Sequence, residues 1–219
     1  MLANDSLYQK SKISRIGELG KSAAEANKTF FAFDKAALAD GAITERTKEI
    51  IAVACAHVTG CPYCIEIHVG NAKKLGVSKE EITEAVLVAT ALKAGSAFAH
   101  GTHALNAYEE VEVDNLYQAA NMKRMTELKD YAPDAVKGFF GFDEAAMKDG
   151  AINKKDKELI AVAVAHITGC AYCIDIHTKN AKRLGITKEE LVESIFVATA
   201  LKAGSALAHG INALNAYDE

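Results

Sequence analysis

The chain has 219 residues, with 25 Lys+Arg against 29 Asp+Glu for a formal charge of −4, and half of its residues are hydrophobic. Such length and apolar content exclude wholesale disorder and suffice for one large core or two small ones. The mild acidity, with no basic run, argues against nucleic acid as the main partner.

Ala supplies 40 residues and Pro only 2, the best and the worst helix formers, so the composition points to helix. The N-terminal stretch MLANDSLYQKSKISRIGEL holds no continuous apolar run of the secretory type. No apolar stretch approaches the roughly 20 residues of a bilayer span. A cytoplasmic protein without a membrane anchor is therefore expected. Leu7 to about Leu19 reads as an amphipathic helix and about Ala23 to Leu38 as a second, ended at Asp40-Gly41 by a glycine in the left-handed cap conformation. A third helix runs from about Glu45 to Val58, with Ile50, Ile51, Val53, Ala54 and Val58 on one apolar face. Thr59-Gly60 stops it, and Cys61-Pro62 restarts the chain with Pro at a first helical position. The fourth helix runs to about Leu75 and ends at Gly76. Ser78-Lys-Glu-Glu81 then forms a capping box. The segment beyond it, to about Tyr108, is expected to form two helices broken near Gly95. No stretch shows sustained period-two alternation, so the fold class is all-α.

The chain then repeats itself. Residues 45–110 align without a gap on 154–219 at a constant offset of 109, with 44 identities in 66 positions. The same offset pairs Phe30, Phe31, Phe33 and Asp34 with Phe139, Phe140, Phe142 and Asp143, and Leu7, Tyr8 and Gln9 with Leu116, Tyr117 and Gln118. Two homologous units, 1–110 and 111–219, follow. Each is domain-sized, and no Gly/Ser/Pro linker separates them, so a fused dimer with an approximate two-fold axis is expected.

The chemistry sits in the best-matched segment. Glu49 is followed by Cys61-Pro-Tyr-Cys64 and His68, and the second half repeats this as Glu158, Cys170-Ala-Tyr-Cys173 and His177. If the third and fourth helices fold back on each other at Gly60, Glu49 and His68 lie equally far from the turn, about 12–15 Å at 1.5 Å per residue. His68 is four residues after Cys64, on the same helix face. A carboxylate that orients an imidazole, and an imidazole that takes a proton from a thiol, is a workable relay. A Cys-x-x-Cys pair in the first helical turn favours a thiolate and closes a disulfide with little rearrangement. Zinc held by His57, Cys61, Cys64 and His68 is the rival reading, but it gives Glu49 no role, and neither a metal nor a cofactor is expected. His57 and His166 read as packed or capping histidines near a helix end. Cys55, matched by Val164, reads as a small core hydrophobe. His100 and His209, in repeated Ala-His-Gly, and Tyr63 and Tyr172, between the cysteines, fit packing as well as function. The five cysteines thus resolve into two pairs and one core residue.

At Glu-x11-Cys-x-x-Cys-x-x-x-His the sequence resembles the carboxymuconolactone decarboxylase superfamily, on its branch of AhpD-like alkylhydroperoxidases. The flanking Glu49-Ile-Ile-Ala-Val-Ala, Asn71-Ala-Lys-Lys-Leu-Gly76 and Lys79-Glu-Glu-Ile82 agree. The resemblance implies a helical fold and an antioxidant peroxidase that reduces small hydroperoxides. Cys64 and Cys173 would be the peroxidatic thiols, Cys61 and Cys170 the resolving ones, and His68, His177, Glu49 and Glu158 the proton relay. It also implies recycling by a dithiol carrier, a lipoyl domain or a thioredoxin-like protein, and a trimer with pseudo-hexameric symmetry. The better-known alkylhydroperoxidases of this branch carry His between the cysteines, where this chain has Tyr63 and Tyr172. Alternatives are a thiol–disulfide relay with a protein partner, a lyase of the decarboxylase type, and a zinc protein.

Overall fold

A computed structural model of the chain describes residues 6–112 and 114–218. The start of the N-terminal stretch, Val113 of the charged junction between the halves and Glu219 lie outside the described residues. A 3-10 helix (Lys10–Arg15) leads into α1 (Ile16–Ser22), α2 (Ala24–Leu38), α3 (Glu45–Thr59), α4 (Pro62–Lys74) and α5 (Lys79–Tyr108). The second half follows the same course, with a 3-10 helix (Ala119–Thr126), α6 (Leu128–Tyr131), α7 (Pro133–Met147), α8 (Lys154–Thr168), α9 (Ala171–Arg183) and α10 (Lys188–Asp218). No strand occurs among the described residues.

Local signals set most of these boundaries. Gly60 and Gly169 end α3 and α8 in the left-handed conformation, at φ 67° and 69°. Ser78 and Glu81 complete a reciprocal capping box at the start of α5, and Thr187 and Glu190 do the same before α10. Three expectations need correction. The first predicted helix is a 3-10 turn followed by a short α-helix. The segment after Ser78 is one unbroken helix, because Ala-rich flanks carry Gly95 at a cost of only about 1 kcal/mol. Gly95 instead lies under the Phe139 ring of the opposite half. Gly41 and Gly150 are not left-handed caps. A Cβ at Gly41 would come within 2.2 Å of the Glu193 carboxylate, and one at Gly150 within 2.2 Å of Glu84, so a larger residue there would have to push that carboxylate aside.

The core belongs to both halves at once. All residues of α3 from Lys48 to Ala56 and of α8 from Lys157 to Ala165 are buried. The two helices pack on each other at the centre, α5 crosses onto α8 and α9, and α10 crosses onto α3 and α4. One apolar cluster runs through Ile51, Val53, Val88, Ile160, Val162 and Val197, which rules out two independent beads. By length and composition α5 and α10 could each cross a membrane, contrary to the sequence expectation. In the structure one side of each packs into this core.

Paired clamps fasten the crossing. The Glu193 carboxylate accepts the Ala42 and Ile43 N–H groups, each at 2.9 Å, and lies 3.0 Å from the ammonium of buried Lys48. Glu84 does the same for Ala151, Ile152 and buried Lys157 at 2.8, 2.9 and 3.0 Å. Burial alone would raise both carboxyls, but the two N–H donors and the lysine outweigh it and hold them below the ordinary glutamate value. A lowered folded-state pKa contributes stability that is fully present above the unfolded value. That stability is lost as pH falls through the depressed one. Glu84→Ala or Glu193→Ala is expected to cost about 3–5 kcal/mol, because each leaves a buried ammonium with no counter-charge and only a backbone carbonyl, of Lys148 or Ala39, as partner. Urea denaturation checks this, and a cost below about 1 kcal/mol would show that the lysines find other partners.

Candidate active site

The turn between α3 and α4 builds the site. Gly60 reverses the chain, and Cys61 then serves as N-cap of α4, its sulfur accepting the Cys64 N–H at 3.2 Å. Pro62 supplies the preset first helical residue. In the second half Cys170 accepts the Cys173 N–H at 3.3 Å. Because α4 returns along α3, buried Glu49 meets His68, and the distance from imidazole Nδ1 to Oε2 is 2.8 Å. Glu158 and His177 repeat the pair at 2.8 Å. A carboxylate at Nδ1 makes that atom the donor and leaves Nε2 for acid–base work. Asn71 and Asn180 donate to the other oxygen of each glutamate, at 3.2 and 3.1 Å, so both carboxylate oxygens are fixed.

Beside the second site lies a cavity of about 690 Å³. Phe98 from α5 of the first half, with Met125, Phe139 and Phe140, forms an apolar side. Cys173, His177, Glu158, Asn180 and Asp143 form a polar one. Both halves therefore line it. Asp143 is half-buried. Burial pushes its carboxyl above the ordinary aspartate value, His177 opposes the shift and Glu158 adds to it. Asp34 has the same surroundings beside His68 and Glu49.

Each half brings its two cysteines together at the start of a helix. Cys61 and Cys64 are joined in a disulfide, with Cα atoms 5.3 Å apart, whereas Cys170 and Cys173 are thiols. Cys173 borders the cavity, and Cys170 is fully buried behind it. In the reduced pair the negative charge favours Cys170. The Cys173 S–H bond to its sulfur is the main cause, and it overcomes burial with help from the Cys173 N–H, Ser96 and His100. That same hydrogen bond, with burial, raises Cys173. The expectation of a helix-start thiolate thus applies to the first cysteine of the pair, while cavity access belongs to the second.

Other sequence candidates fall outside the relay. Burial pushes the Cys55 thiol up to about 12. The Nδ1 atoms of His57 and His166 lie 2.8 Å from the carbonyls of Val53 and Val162, within their own helices. Among the described residues no three His, Cys, Asp or Glu side chains converge as a metal-binding group. Sequence reasoning missed Asn71, Asn180, the place of Asp143 in the cavity and its counterpart Asp34 beside His68 and Glu49. Their signal was present, because both asparagines and both aspartates recur at the offset of 109.

Comparison with known proteins agrees with the fold. The sequence model of the carboxymuconolactone decarboxylase family matches residues 24–107 and again 133–216. Uncharacterized protein 4 in the cox locus of Paracoccus denitrificans is 45% identical over 97 residues, 44% of this chain and 87% of that protein. The alkyl hydroperoxide reductase AhpD of Corynebacterium kroppenstedtii is 32% identical over 99 residues, 41% of this chain and 55% of that protein. Among solved structures, a protein of Burkholderia xenovorans named as a gamma-carboxymuconolactone decarboxylase subunit superposes with a TM-score of 0.67. It covers 95% of each chain at 16% identity, a likeness of fold.

Proposed function

We propose that this chain, which belongs to the carboxymuconolactone decarboxylase family, is a thiol peroxidase of the alkylhydroperoxidase kind. The observation that carries the reading is the outer cysteine of the second pair, Cys173, sharing a cavity with a carboxylate-oriented histidine, while the matching pair of the first half, Cys61 and Cys64, is close enough to close a disulfide. In this reading His177 Nε2 takes the Cys173 thiol proton, and the sulfur attacks the terminal oxygen of a hydroperoxide. The O–O bond breaks, and the departing alkoxide takes the proton back and leaves as alcohol. Cys173 is then a sulfenic acid. Cys170 attacks its sulfur, the S–O bond breaks, and hydroxide leaves as water after accepting a proton. An external dithiol, a lipoyl group or a thioredoxin-like protein, supplies two electrons and two protons to reopen the disulfide. Cys61, Cys64, His68 and Glu49 perform the same steps in the first half. The active assembly in this reading is a trimer of fused pairs.

Cys173, almost buried yet bordering the cavity, suits a small peroxide as the oxidant. Reduced protein mixed with cumene hydroperoxide is expected to lose the thiols of both pairs within seconds, leaving Cys55 unreacted. Thiols that persist with hydroperoxide, yet disappear with an oxidised thioredoxin-like protein, would instead make it a thiol–disulfide relay.

A further inference from the structure

The halves match least along their N-terminal segments, and the unmatched residues gather at one place. A second cavity, of about 540 Å³, lies between the 3-10 helix Ala119–Thr126, α6 and α7. Met122, Met125, Val136 and Phe140 give it apolar walls, and Lys129, Lys137 and Asp134 also line it. Met125 and Phe140 are at the same time lining residues of the 690 Å³ cavity that holds Cys173 and His177. The two spaces therefore meet at those two side chains. Both are easily displaced, since Met125 is unbranched and flexible and Phe140 is 54% exposed. Each volume is that of a small-molecule site. Neither lysine forms an ion pair among the described residues, so two ammonium groups and one carboxylate leave the far end of the second cavity net positive.

The first half is built differently at the same positions. The offset of 109 replaces Met122 and Met125 by Ile13 and Ile16, Lys129 by Gly20 and Val136 by Asn27. Asn27 packs so closely on Gly20 that a Cβ there would come within 2.7 Å of its amide nitrogen. Where Lys129 and Val136 border a space, their counterparts close on each other.

We propose that the two cavities of the second half form one site for a long-chain carboxylic acid hydroperoxide, and that the first half takes only short hydroperoxides. The hydroperoxide group lies beside Cys173, the hydrocarbon chain runs past Met125 and Phe140, and the carboxylate ends at Lys129 and Lys137. The inference rests on the peroxidase reading and names its substrate class. The chemistry is unchanged. The Cys173 sulfur takes the terminal oxygen, the O–O bond breaks and the hydroxy acid leaves. Cys170 then forms the S–S bond, and the oxygen departs as water. Specificity comes from the apolar walls, which favour each buried methylene by about threefold to fourfold in affinity. The exposed lysines add less and fix which end of the chain lies outward.

Calorimetric titration of the reduced full chain with the unreactive acids hexanoate, octanoate and decanoate reads the site without the chemistry. One decanoate per chain is expected, with affinity rising about threefold for each added methylene. Met122→Trp, which fills the second cavity, is expected to weaken decanoate about tenfold or more. Lys129→Gln with Lys137→Gln is expected to weaken decanoate about fivefold and to leave decanol unchanged. Both lysines are exposed, so this pair carries the test if Met122→Trp perturbs folding. Turnover is then compared between a chain with Cys61→Ser and Cys64→Ser and one with Cys170→Ser and Cys173→Ser. The first is expected to use 10-hydroperoxydecanoate with a KM about tenfold below that of the second, and both to use tert-butyl hydroperoxide alike. Decanoate that fails to bind, binds twice per chain, or is unmoved by variants with native circular dichroism overturns the proposal. Equal use of 10-hydroperoxydecanoate by the two chains overturns it as well. Decanoate bound once and weakened in the variants, in a protein that no hydroperoxide oxidises, upholds the binding site and removes the peroxidase reading.

Discussion

A chain carrying Cys64→Ser together with Cys173→Ser is expected to lose hydroperoxide turnover by about a thousandfold or more, because the substitution removes the nucleophile and leaves only the pocket. The choice of Cys64 and Cys173 follows from access. Cys173 borders the cavity beside His177, and Cys170 is sealed behind it as the helix cap. Serine keeps the shape of the site, so lost activity would reflect chemistry and not packing. Each single substitution is expected to leave about half of the turnover if the two sites work independently, since the constellation occurs once in each half. Coupled single-turnover and steady-state assays with cumene hydroperoxide check both points. Double-variant turnover within twofold of the parent would place the chemistry elsewhere.

Glu49→Gln with Glu158→Gln is expected to lower the rate of thiol oxidation by about 10²–10⁴, the range of a lost general acid–base function. The glutamates reach no cysteine themselves. Each fixes an imidazole through Nδ1 at 2.8 Å and is fixed in turn by an asparagine. Glutamine preserves volume and can still bond the asparagine, but it removes the negative charge that stabilises the imidazolium formed when the thiol proton arrives. The loss is therefore expected in the oxidation step, with the helical content unchanged. Single-turnover oxidation followed across pH separates the two effects, because a lost imidazolium partner moves the rate profile and a merely structural change does not. An unchanged rate in the double Gln variant would remove the relay from the mechanism.

Much of the site could be read from local arithmetic. Gly60 and Pro62 place a reversal between two helices, and the helical rise then brings Glu49 level with His68, as the structure has them. The capping boxes at Ser78 and Thr187 were equally legible, because every atom involved lies within one helical turn. What escaped the sequence depends on distant partners. Gly41 resembles a helix cap until Glu193, from the other half, occupies the space of its absent Cβ. Gly95 resembles a break, although the long helix runs straight past the Phe139 ring. Asp143 stood in a repeated Phe-Phe-x-Phe-Asp string, but only the packing of α7 against α5 and α8 brings it to the cavity.

The most direct measurement is the mass of the reduced chain, and the product formed, after one pulse of excess cumene hydroperoxide. The account predicts two disulfides, one spanning Cys61 and Cys64 and one spanning Cys170 and Cys173, with one cumyl alcohol released for each and Cys55 unmodified. A folded protein that keeps both pairs reduced while the hydroperoxide remains intact would contradict it.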